Sequence, residues 1–113
     1  MIDQFPTPEI TFLGEQDGPA ARRLKDALAT MLLQDITVDK AYLARVLYDG
    51  KTSGVILALK TRDEVDSEKL VAQAGKSFAS IFNANAHLDI IFLSDAQNAE
   101  IIKVCPSFYD RKA

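Results

Sequence analysis

The sequence predicts a single α+β domain, a two-layer sandwich with a four-stranded, mainly antiparallel sheet and two long helices on one face. Three observations carry that prediction. Two segments of helical periodicity each show one apolar stripe. Four runs read as strands, two of them joined by an Asp-Gly turn. The elements follow the order β-α-β-β-α-β-α, that of a ferredoxin-like split βαβ sandwich. With 113 residues the chain is one domain, 1–113, able to bury a core without metal or disulfide.

Residues 1–8 read as an extended arm, because Pro6 and Pro8 resist both helix and ladder. "EITFLG" is a short strand with Ile10 and Phe12 on one face, ended by Gly14. "DGPAARRLKDALATMLLQ" is a helix. Pro19 suits its first turn, Asp17 or Gly18 precedes as cap, and Ala21, Leu24, Leu28 and Leu32 recur at helical spacing. Residues 36–60 form a hairpin turning at Asp49-Gly50. In its first strand Tyr42, Ala44, Val46 and Tyr48 alternate with Ala41, Leu43, Arg45 and Leu47. Both sets are too apolar for a solvated face.

"DSEKLVAQAGKSFASIF" is the second long helix, capped by Asp66 or Ser67, with Leu70, Val71, Ala74, Phe78 and Phe82 on its buried stripe. "NANAH" is a loop and "LDIIFL" a strand. Ser94 with Gln97 three residues on is a capping box, opening a short third helix that Pro106 stops.

Little here looks like chemistry. The net charge is −3 and the basic residues are scattered, which excludes a nucleic-acid footprint. No apolar run spans a membrane, and the N-terminus lacks the basic and apolar regions of a signal peptide. The single cysteine, Cys105, permits no internal disulfide and points to a reducing, cytoplasmic setting. Cys105 reads as a packed structural thiol, and His87 has no second ligand for a metal. Glu64, Asp66 and Glu68 suit a helix start better than catalysis. No phosphate-binding or nucleophile motif is present, so neither cofactor nor catalytic residue is expected.

Two regions remain as candidates. One is the sheet face left by the long helices: Tyr42, Val46 and Tyr48, or their neighbours Leu43 and Leu47, are expected to meet a partner protein or a second copy. The other is the tail "PSFYDR". There Phe108 and Tyr109 are expected to fold back on the core, with Arg111 pairing a surface acid, or else to dock a partner.

The segments "FLGEQDGPAARRLKDALATMLLQDITVDKAYLARV" and "PSFYDR" also resemble the C-terminal domain of the SseB (enhanced serine sensitivity) family. Gly14 ending a strand, Pro19 opening a helix and Ala41-Tyr42-Leu43-Ala44 match its opening. Pro106, Phe108, Tyr109 and Arg111 match its close, with Ser107 and Asp110 interposed. The resemblance covers residues 10–111 and implies a soluble bacterial protein of unassigned activity. Proteins of that family usually carry a separate N-terminal domain, which this chain is too short to hold. It therefore reads as a stand-alone or excised C-terminal domain. The leading expectation is a non-enzymatic protein–protein interaction module. The alternatives are a small-ligand binder or enzyme with a pocket near the tail, using Tyr42, Tyr109 and Arg111, and an immunity-type protein that binds a toxin.

Overall fold

The structure, a computed structural model, describes residues 9–35, 37–62, 67–82 and 88–111. The 1–8 arm, Glu64, the cap position Asp66 and the 83–87 loop with His87 lie outside the described residues. The described elements are β1 (Ile10–Glu15), α1 (Pro19–Leu32), β2 (Val38–Tyr48), β3 (Thr52–Thr61), α2 (Ser67–Ala79), β4 (Asp89–Phe92), α3 (Asp95–Ile101) and β5 (Tyr109–Asp110). The fold is α+β. The expected element order continues into a fifth strand at the tail.

Local signals account for most boundaries. Pro19 stands at the first helical position of α1, and Gly18 precedes it with φ +118°, a conformation that favours glycine. Asp49 and Gly50 both take positive φ, 52° and 68°, so the hairpin turns through a type I′ geometry that matches strand twist. The Ser94–Gln97 capping box forms in both directions, at 3.1 and 3.0 Å.

The sheet differs from the expected one. Its strands run β1-β2-β3-β4, with β5 paired to β2 beside β1. The first two pairings are antiparallel and β3–β4 is parallel, so the sheet is mixed. The reason is the 13-residue α2, which carries the chain back to the end of the sheet where β3 began. A split βαβ leaves room for another strand between its parallel pair. Here β3 and β4 are direct neighbours, so the ferredoxin-like arrangement does not form.

Nor is the sandwich two-layered. On one face α1 and α2 bury Leu24, Leu28, Leu32, Leu70 and Ala74 against Leu43, Leu57 and Leu59. On the other, Ile101 of α3 and Cys105 cover Tyr42, Ala44, Val46, Ile56 and Ala58. A strand buried on both faces needs apolar residues at successive positions, which is why the hairpin sequence lacks clean alternation.

Candidate functional site

The tail is part of the fold. The backbone N–H of Phe108 bonds the Ala41 carbonyl at 3.0 Å and that of Arg111 bonds Asp39 at 2.9 Å, which adds β5 to the edge of β2. Farther along the same edge β1 takes over, and the N–H of Gln16 reaches the Leu43 carbonyl at 2.9 Å. One long strand is thus satisfied by two separate segments.

Tyr109 is buried, its hydroxyl 3.4 Å from the Leu32 carbonyl. Phe108 packs half-buried against the same cluster. Contrary to the expectation from sequence, Arg111 pairs no surface acid among the described residues. Its guanidinium donates to the carbonyls of Leu32 (3.2 Å), Asp35 (2.6 Å) and Val38 (3.1 Å). A helix leaves its last carbonyls without intrahelical partners and carries partial negative charge there, so a cation at the end of α1 meets both needs. These donors are consumed inside the fold.

The sheet face expected to be open is closed. Tyr42 is only 1% exposed and Val46 is buried with it, whereas Leu43 is buried on the opposite face, under the long helices. The Tyr42 hydroxyl donates to Asn98 Oδ1 of α3 at 3.3 Å, and burial raises its pKa. Tyr48, half-buried, lays its ring over Gly54 and donates a hydrogen bond to the Asp89 carboxylate. The physical reason for closure is reach without a long helix. The residues beneath α3 include the small Ala44 and Ala58, and the two tyrosines lie along the face and cover it themselves.

Cys105 is buried, with its thiol 3.6 Å from the Leu43 carbonyl, and burial pushes its pKa up to about 11. A thiol raised in this way is a poor nucleophile at neutral pH. Among the described residues no group of three or more His, Cys, Asp or Glu converges as a metal site would require. Among those residues, too, no helix is long and apolar enough to cross a membrane.

A cleft of about 330 Å³ lies elsewhere, between the start of α1 and the end of α2. Leu43 and Val55 line it from the sheet, Pro19 and Leu24 from α1, and Phe78 and Phe82 from α2. The two phenyl rings stack with centroids 4.7 Å apart. Asp17 stands at the cleft, and the Arg22 guanidinium 3.2 Å away holds its carboxyl below the usual range. A second hollow, lined by Leu13, Arg45, Ser53 and Val55, shares Gln16 and Val55 with the first. Together they make a groove along the helix-covered face, running out past the ends of the helices.

Element lengths create this groove. The 11-residue β2 is about 36 Å long at 3.3 Å per residue, whereas the 14-residue α1 is about 21 Å at 1.5 Å per residue. The helices therefore cannot blanket the distal part of the hairpin. Leu13, 43% exposed, and Arg45, opposite Val55 in the register, lie there. The sequence contained the signal, since the strand and the helix were both readable and only their lengths needed comparing.

No curated protein and no solved structure matches this chain. A family model described as SseB protein C-terminal domain matches residues 13–111, nearly the whole chain. That span includes Pro19, the Tyr42 strand and the Arg111 tail, and the chain belongs to the SseB C-terminal domain family.

Proposed function

We propose that this domain is a non-enzymatic protein-binding module that engages its partner through the groove beside the hairpin. The single observation that carries this reading is the apolar cleft continued onto the uncovered end of the sheet, at Val55 and Leu13. Apolar surface left outside an otherwise well-covered sheet marks an interaction site. The buried Tyr42 and the consumed Arg111 would act by holding the hairpin in place, without touching the partner, whereas Leu43 and Val46 line the groove. A reducing, cytoplasmic compartment fits the lone buried thiol.

The test uses a photoreactive benzoylphenylalanine in place of Leu13, on the groove, or of Ile102, which is 54% exposed beside α3. Crosslinking in extract of the source cells should capture a distinct protein from position 13 alone. Equal capture from both positions, or none from position 13, would defeat the reading. The size of the cleft also favours a small apolar ligand, since binding pockets start at roughly 300 Å³. A mass increase of a few hundred daltons on the crosslinked chain, without a captured protein, would identify that case.

A further inference from the structure

We infer, resting on the reading above, that the groove receives a partner segment presenting apolar side chains to the cleft and a carboxylate to Arg45. Arg45 stands in a hollow with Leu13 and Val55, next to the apolar cleft. Its guanidinium lies against Gly14, where an added Cβ would come within 3.3 Å of Nη2. Among the described residues the Arg45 side chain makes neither a hydrogen bond nor an ion pair.

The other charges of this region are already matched. Glu15 holds Lys25 at 2.6 Å, and Asp17 holds Arg22 at 3.2 Å. Arg45 is thus the charge of the groove left for a partner. A guanidinium presents a planar fork of donors that fits a carboxylate with two parallel hydrogen bonds.

Two occupants can be compared by charge. In a two-fold dimer on this patch each Arg45 would need an acid of the other copy's patch, and the acids there, Glu15 and Asp17, are already held by Lys25 and Arg22. A different protein carrying Asp or Glu beside two or more apolar residues meets the groove along its length. The occupant is therefore a segment of another protein. The domain's own net charge of −3 slows long-range approach of an acidic partner, so recognition rests on the short-range fork.

The experiment selects a displayed library of random twelve-residue peptides on the immobilised full chain. The expected peptides carry Asp or Glu next to apolar residues and shift the amide signals of Leu13, Val55 and Phe82. They should bind Arg45→Gln about tenfold more weakly, and weaken on the unmutated domain as salt rises. Selection on Arg45→Glu should favour Lys and Arg instead. Arg45 is exposed, so both variants should keep the circular dichroism of the parent. Apolar peptides that bind the groove with no preference for acids, equally well to Arg45→Gln, overturn this inference and leave the binding-module reading standing. Peptides that shift only the Ile102 face, or a selection that recovers nothing above background, overturn both.

Discussion

The hydroxyl of Tyr48, at the end of β2, reaches across β3 to the carboxylate of Asp89 on β4. The ring passes over Gly54, where a Cβ would stand 2.8 Å from it. Glycine weakens a strand interior, and an aromatic laid across it recovers the lost packing. The contact joins the long hairpin to the short parallel strand on the face that α3 only partly covers. It ties the far end of the hairpin to β4 on the face opposite the long helices.

Gly54→Ala should therefore destabilise the domain by about 1–3 kcal/mol, the range for overpacking a filled site. Pairing it with Tyr48→Ala should make the two costs markedly non-additive, because one change removes the clash that the other creates. Urea unfolding of the two single variants and the double variant reads this directly. Strict additivity would mean that the ring does not lie on Gly54.

Arg111→Ala should cost about 1.5–3 kcal/mol, since three carbonyls at the end of α1 and the start of β2 lose a charged donor. Deleting 106–113 removes Tyr109 as well and should cost about 3–5 kcal/mol. Thermal melts check both. An unchanged melting temperature on truncation would show the tail to be an appendage. Arg111→Lys should recover only part of the loss, because a single ammonium cannot reproduce the spread of the planar fork.

How far the sequence could be read depends on the range of the interactions. The turn at Asp49-Gly50, the start of α1 at Pro19 and the Ser94–Gln97 box are fixed by neighbours within three or four residues, and each formed as read. The placement of β4 beside β3, and of the tail beside β2, depends on partners far apart in sequence, such as Phe108 and Ala41. Alternation alone could not show that Tyr42 and Tyr48 bend along their face to Asn98 and Asp89. A two-faced apolar strand reads equally as an open interface or as a covered core. The groove at Val55 escaped for a different reason: its signal is a mismatch of lengths, carried by no residue type.

The buried lysine of α1 gives a third prediction. Lys25 is 8% exposed, held by Glu15 at 2.6 Å with Asp17 at 3.9 Å. Glu15→Ala strands that cation and should cost about 1–3 kcal/mol; Asp17 nearby keeps the cost below that of a wholly unpaired buried charge. Lys25→Met, which removes the charge and keeps the volume, should fall within about 1 kcal/mol of the parent or exceed it. Denaturant midpoints order the three proteins. A Lys25→Met variant that unfolds as readily as Glu15→Ala would mean that the ion pair, and not the packing of the stem, holds α1 against β1.

Cys105 supplies the pH dependence. Burial raises its thiol from an ordinary value of 9.0 to about 11, so the folded chain keeps the proton over a range in which the unfolded chain has released it. With more protons bound in the folded state, stability falls as pH rises. The contribution is fully present below pH 9 and is lost on the way to pH 11, with a slope approaching about 1.4 kcal/mol per pH unit. Tyr42 and Tyr48, whose hydroxyls are raised in the same direction by burial, steepen the decline above pH 10. Cys105→Ala removes only the thiol's share. The parent's advantage over this variant should therefore be constant from pH 6 to 8 and shrink between pH 9 and 11, as urea titrations at each pH would read. An advantage that stays constant through pH 11, together with fast alkylation of the thiol at pH 6, would show an ionised and accessible cysteine in place of a buried neutral one.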